Sequence, residues 1–246
     1  MELVHGVPKI RVGTWNLEWA NRAHVRPQQA EVIADAAADV WVLTEARANV
    51  LPHGWSSATS ADIPSAVNER RSGDAGSFAV VGAPELEPVA VPELPTAACA
   101  RVPINGQSWL VLGVCMPWRR GSPPLPDGAT TGAQSGPAQW RTVLARVDAA
   151  LGRLAPTVPS RHLLLVGDLN QTLSGSNVGF AGGRALLNSV LGRHRLVAYT
   201  AEQPSKLRGC RGVDHVCGPA LPRLLESWPE SADTLSDHHG YVVELG

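Results

Sequence analysis

The run His162-Leu163-Leu164-Leu165-Val166-Gly167-Asp168 decides how the chain is read. Unbroken apolar residues over so short a span describe a buried strand. The run then stops at the polar string Gly167-Asp168-Leu169-Asn170. Upstream of it, Trp140, Val143, Leu144, Val147, Leu151 and Leu154 recur at helical spacing, which predicts a helix of about four turns whose stripe is core. Downstream, a short helix is expected over residues 183–191, with strands at 196–199, 213–217 and 241–244. Toward the start of the chain, residues 9–15 alternate as a half-buried strand does. Pro27 opens a helix that passes Ile33 and ends at Ala38. Asp39-Val40-Trp41-Val42-Leu43-Thr44-Glu45 is a second buried strand, and it too ends on a carboxylate. Residues 46–76 read as irregular, 77–81 and 97–104 as strands, and Asn105-Gly106 as a hairpin turn that returns the chain over 109–116. Residues 117–137 carry five prolines and four glycines, so a long functional or mobile loop is expected there. More strands than helices, without repeats, point to one domain of two packed sheets with helices outside.

The 246 residues are 44% hydrophobic and 17% charged, which allows a sizeable core and excludes wholesale disorder. Lys+Arg is 21 against Asp+Glu 22, too little positive surplus to coat nucleic acid by bulk charge. Only Lys9 and Lys206 are lysines. Cys99, Cys115, Cys210 and Cys217 form no CxxC pair, so free thiols in a reducing compartment are expected. Met1-Glu2-Leu3-Val4-His5 has neither a basic nor a long apolar targeting region. No stretch approaches the roughly 18 apolar residues of a membrane span. A soluble, cytoplasmic protein is the expectation.

P-loop, GxSxG and HExxH patterns are all absent. Instead, polar residues gather where apolar strands end: Trp15-Asn16-Leu17-Glu18, Thr44-Glu45, Asp168-Leu169-Asn170, Val213-Asp214-His215 and Ser236-Asp237-His238. Each alone would pass as a turn or a cap. Together they hold what phosphoester hydrolysis needs. Glu45, with Glu18 beside it, offers hard oxygen ligands suited to Mg²⁺ or Mn²⁺. Asp168 is the candidate to align or deprotonate an attacking water. Asn16 and Asn170 supply amide donors for phosphate oxygens, and His238 with Asp214 supplies an imidazolium held by a carboxylate. His215 and His239 are left out, because adjacent strand residues face opposite ways.

In this order the five strings resemble the motif series of the endonuclease/exonuclease/phosphatase superfamily, the group of deoxyribonuclease I and the exonuclease III-type enzymes. The motifs run from residue 14 to 238, nearly the whole chain. The resemblance implies a four-layer α/β/β/α sandwich with two central mixed sheets, forming one domain over residues 1–246. It implies that Glu45 binds the metal, with Glu18 and Asp237 near it. Asp168 would orient water with Asn170 and Asn16 as partners, and His238 would bind phosphate with Asp214 behind it. The implied activity is metal-dependent hydrolysis of a phosphodiester, DNA or RNA among the substrates. Two alternatives stay open: an enzyme acting on a small phosphoester or lipid headgroup, and a non-catalytic binding domain on the same fold.

One departure is Gly113-Val114-Cys115-Met116-Pro117-Trp118, where Cys115 falls at the position of a phosphate-reaching Tyr or His. A thiol is a poor donor. Weaker catalysis, replacement by Arg119 or Arg120, and a different substrate geometry all remain open. Trp118, Arg119 and Arg120 are candidates for stacking on a base and pairing with a phosphate.

Overall fold

Continuous apolar strands imply burial on both faces, and two stacked sheets provide it. The structure, a computed structural model, describes residues 9–18, 24–61, 76–118, 136–206, 209–221, 223–226 and 228–246. The first sheet contains β1 (Ile10–Asn16), β2 (Val40–Ala46), β3 (Ser56–Thr59) and β4 (Ser77–Ala83). The second contains β5 (Glu87–Pro88), β6 (Ala97–Ile104), β7 (Gln107–Cys115), β8 (Leu163–Asp168), β9 (Val197–Ala198) and β10 (Asp214–Gly218). The chain then returns to the first sheet as β11 (Arg223–Leu225) and β12 (Tyr241–Leu245). The strand orders are β11-β12-β1-β2-β4-β3 and β5-β6-β7-β8-β10-β9. Both sheets are mixed: β1 pairs β2 in parallel and β7 pairs β8 in parallel, among otherwise antiparallel neighbours.

Period-two alternation sorts each strand between two cores. Val12, Val42 and Val243 of the first sheet meet Val111, Leu164, Val166 and Val216 of the second in the core between the sheets. The alternate residues Trp15, Trp41 and Leu43 face outward onto α1 (Arg26–Asp35) through Ile33. On the other side, Leu110, Leu112, Leu163 and Leu165 pack against α2 (Gly136–Leu154) and α3 (Gly183–Arg193). The result is four layers, helix–sheet–sheet–helix, in one domain. Each aliphatic side chain taken from water contributes about 1.5–3 kcal/mol.

Several elements depart from the expected boundaries. Ser56–Thr59 forms an edge strand within the stretch read as irregular, paired to β4. Only Ala58 of β3 is buried, so no hydrophobic pattern marks it. Helix α1 stops at Asp35 rather than Ala38, and Ala37 follows with φ +47°. Helix α2 begins at Gly136, before the expected end of the loop, with Pro137 in its first turn where a missing N–H costs nothing. Among the described residues no helix is long and apolar enough to cross a membrane.

Candidate active site

At one end of the inter-sheet core the inward positions change from aliphatic to polar. Asn16 continues the inner face of β1, Asp168 that of β8 and Asp214 that of β10, and all three are buried. The backbone ladders set their spacing: Asp168 lies opposite Asp214 on one side and beside Cys115 on the other. Gly167 precedes Asp168 at φ +130°, where a β-carbon would run into the Val114 carbonyl. Only glycine fits that approach. Asp168 then accepts three N–H bonds: from the Asn170 backbone at 2.9 Å, Asn170 Nδ2 at 2.9 Å and Asn16 Nδ2 at 3.0 Å. Asn170 folds back in this way because its backbone is left-handed, φ +50°. Its Nδ2 also donates to the Met116 carbonyl at 2.8 Å.

His238 comes from the turn before β12. Its Nδ1 lies 2.6 Å from Asp214 Oδ2 and donates to it. The Ser236 hydroxyl donates to the Asn16 carbonyl at 2.6 Å and accepts the His238 backbone N–H at 3.1 Å. Trp15 Nε1 donates to the His238 carbonyl at 3.1 Å, and its ring meets Trp228 edge-on at 4.9 Å. Glu45 sits at the end of β2 with φ +48°, a conformation a glutamate adopts only when its surroundings impose it.

Burial dominates the electrostatics. It pushes Glu45 up to about 8, with Asp168 adding to the rise and His238 and the Asn16 amide opposing it. Burial and then Asp214 push Asp168 up to about 7, against the opposing effects of His238 and its N–H donors. Burial works against a charged His238, but Asp214, Asp168 and Asp237 outweigh it and hold the imidazole well above its usual range. Burial, reinforced by Asp168 and Glu45, raises the Cys115 thiol well above its usual value. Cys115 is therefore a neutral thiol on the floor of the site.

No family model matches the sequence, and no curated protein matches it. Solved structures do. The endonuclease domain of TRAS1, a telomere-specific non-LTR retrotransposon, is 16% identical and superposes with a TM-score of 0.63 over 97% of this chain and 98% of that one. The AP endonuclease LMAP from Leishmania major is 14% identical, with a TM-score of 0.63 over 97% of this chain and 88% of that one. An endonuclease/exonuclease/phosphatase protein from Beutenbergia cavernae DSM 12333 is 16% identical, with a TM-score of 0.56 over 97% and 72% of the two chains. This is the endonuclease/exonuclease/phosphatase fold.

Within this endonuclease/exonuclease/phosphatase fold, Asn16 and Asn170 hydrogen-bond Asp168, Asp214 hydrogen-bonds His238, and Ser236 links the two groups by bonding both Asn16 and His238. The Asn16 amide also acts on Glu45, favouring its charged form. Asn170, Asp214, Asp237 and His238 line a cavity of about 230 Å³; Asp168 and Glu45 are buried and do not line it. Asp237 is exposed, with Oδ1 3.8 Å from His238 Nε2. Glu18 is half-buried with φ +49°, its backbone N–H donating to Asn16 Oδ1 at 2.9 Å. It is not among the groups acting most strongly on Glu45. Trp118 is half-buried, two residues beyond Met116, whereas Arg119 and Arg120 lie outside the described residues.

Ligand atoms of Asp168, Asp214 and His238 lie within 4.8 Å of one another, close enough to hold a metal ion. This group differs from the Glu45, Glu18 and Asp237 set expected from the sequence, because the antiparallel register places Asp214 directly opposite Asp168.

The cavity also contains residues that sequence reasoning passed over. His239 and Tyr241 line it beside His238, with Ser205 and Val178. The alternation that set His239 aside does not apply, since β12 begins only at Tyr241. His215, inside β10, faces the other way and meets the Gln171 carbonyl at 3.0 Å.

Proposed function

We propose that the protein is a divalent-metal-dependent phosphoesterase that cleaves a phosphodiester, acting as a nuclease, with residues 1–246 as one catalytic domain. The observation that carries this reading is the cluster in which Asn16 and Asn170 hold Asp168, directly opposite an Asp214 that holds His238, with the buried Glu45 acting on Asp168 and His238. Two of the structural neighbours are themselves described as endonucleases.

The residues suit a hard divalent cation. Glu45 and Asp168 are crowded carboxylates whose proton affinity burial raises, to about 8 and about 7, and Asp214 Oδ1 is buried without a hydrogen-bond partner among the described residues. A cation would restore their charge, and an all-oxygen donor set selects Mg²⁺ or Mn²⁺. Glu45 would hold it, with Asp237 and Glu18 nearby. Asp168 and His238 are less suited, because Asp168 accepts three N–H bonds and His238 Nδ1 faces Asp214. When bound, the ion supplies charge to polarise the phosphoryl oxygen.

The protein's own groups do the rest. Asp168, with a pKa pushed up to about 7, holds the attacking water and takes its proton. Asn16 and Asn170 fix the carboxylate of Asp168. His238, kept protonated by Asp214, donates to the phosphoryl oxygen as negative charge grows there. Asn170 adds an amide edge at the cavity wall. The four cysteines are free thiols, which agrees with a cytoplasmic setting.

A second reading rests on the cavity. At about 230 Å³, walled by Val178, Val213 and Tyr241, it suits a small group attached to the phosphate. A panel of plasmid DNA, abasic oligonucleotide, RNA, inositol phosphates and sphingomyelin, each with and without Mg²⁺ or Mn²⁺, separates the two. Metal-dependent cleavage of a nucleic acid is the expected result. Turnover of small phosphoesters alone favours the second reading, and inactivity on every substrate removes both.

A further inference from the structure

The only lysine besides Lys9 comes from a segment that no part of the reaction above uses. Residues 203–206 and 209–212 pair as the two arms of a small hairpin: Ser205 N–H donates to the Cys210 carbonyl at 3.0 Å, Gly212 N–H to the Gln203 carbonyl at 2.9 Å, and Pro204 bridges Arg211. The Tyr241 hydroxyl donates to the Pro204 carbonyl at 2.8 Å, which fixes the base of the hairpin against β12. From this platform the Lys206 ammonium reaches two backbone carbonyls, those of Asp233 and Ser236. Both belong to the segment that delivers His238. Asp233 lies in the last turn of the 3₁₀ helix Glu230–Thr234, where carbonyls lack intrahelical partners and a cation is favoured. The Ser236 carbonyl belongs to the peptide that leads into Asp237, and the hydroxyl of the same residue already binds the Asn16 carbonyl and the His238 N–H.

We propose that Lys206 is a positioning residue: its ammonium caps the 3₁₀ helix and pins the Ser236–His238 turn, so that the imidazole meets Asp214 across the seam between the sheets. Its catalytic consequence rests on the phosphoesterase reading; its structural consequence does not. The pin also ties the hairpin wall of the cavity, through Ser205 and Gly212, to the placement of His238. A group misplaced by an ångström loses rate rather than binding.

Lys206→Met keeps the side-chain length and removes the donor and the charge, while Lys206→Arg restores both. Hydrogen exchange followed by mass spectrometry reads the turn without reference to activity. In Lys206→Met, peptides covering residues 235–240 should exchange about tenfold faster, as befits lost charge-assisted bonds. Peptides of β1 and β8 should stay unchanged. On whichever substrate the wild type cleaves, kcat should fall roughly tenfold to a hundredfold while KM holds, and Lys206→Arg should recover most of both. If Lys206→Met unfolds the chain, Lys206→Gln, which leaves one neutral donor, takes its place. Wild-type exchange in the turn overturns the pin, and faster exchange with unchanged kcat overturns its catalytic consequence. If the wild type cleaves nothing, the phosphoesterase reading fails and the exchange data alone judge Lys206.

Discussion

In the second sheet, Asp214, Asp168 and Cys115 stand side by side on β10, β8 and β7, each placed by a backbone ladder. The first sheet supplies its share differently. Asn16 and Glu45 sit at the ends of β1 and β2, Glu45 with a left-handed backbone, and His238 arrives on a turn. These groups are aimed by side-chain bonds: Asn16 to Asp168, Ser236 to Asn16, Trp15 to His238. One half of the site is fixed by register and the other by individual hydrogen bonds. Two bonds, Asn16–Asp168 and His238–Asp214, join the halves. Substitutions in the second half should therefore remove chemistry from an intact frame, whereas many in the first half should loosen the frame itself.

The largest effect is expected at the seam. Asp168→Ala and His238→Ala should each lower kcat/KM by about 10²–10⁴-fold with an unchanged circular dichroism spectrum; wild-type activity in either variant would remove that residue from the mechanism. Asp214→Asn comes next. It keeps an acceptor for His238 but removes the charge that holds the proton. The rate should fall about tenfold to a hundredfold, and the alkaline limb of the pH profile should move to lower pH. A limb that stays put would separate Asp214 from the imidazole's charge.

Glu45 offers a readout without substrate. Glu45 and Asp168 bind protons more tightly folded than unfolded. Their contribution to stability is thus complete below the ordinary carboxylate range and is lost as pH rises toward about 8. The metal-free chain should melt lower at about pH 8 than at about pH 5, and Mg²⁺ or Mn²⁺ should raise Tm by a few degrees more at the higher pH. Glu45→Gln should abolish most of that gain; a full gain in the variant would move the ion to the Asp168, Asp214 and His238 group.

Trp15→Phe tests the aimed half by deleting one N–H, a loss of about 1 kcal/mol, and the expected drop in kcat is roughly fivefold. The smallest effect is expected at Cys115, whose thiol is buried and neutral. Cys115→Ala should keep kcat within roughly threefold, as befits a group that is not a thiolate; complete loss with the fold intact would give the sulfur a chemical role.

The same division explains what the sequence made legible. Strands β2 and β8 are readable because both faces of each are buried, as Leu164 and Leu165 illustrate by facing different cores. Asp168 and Asp214 are readable because a carboxylate closing or opening such a run interrupts a strong pattern. By contrast, β3, β5 and β11 are edge strands with few buried residues. Their conformation is imposed by a neighbour, and no local periodicity records it. His239 escaped because strand alternation was extended into a turn. The second ligand group, Asp168 with Asp214 and His238, depends on antiparallel register, which motifs do not carry. The indole bond of Trp15 and the reach of Lys206 likewise depend on tertiary placement alone.

Gln171 has a consequence for how substrates are chosen. This fully buried amide donates to the Thr172 carbonyl and to Asn177 Oδ1, and accepts the Phe180 N–H. Gly179 and Gly183 crowd so closely onto its Oε1 that neither could carry a β-carbon without displacing it. The loop bearing Val178 is thus wound around an internal polar spindle. A wall built in this way acts as a fixed template, not a closing jaw. Preference among substrates would then be rewritten by exchanging the side chain at Val178, leaving the spindle and the chemistry beneath it untouched.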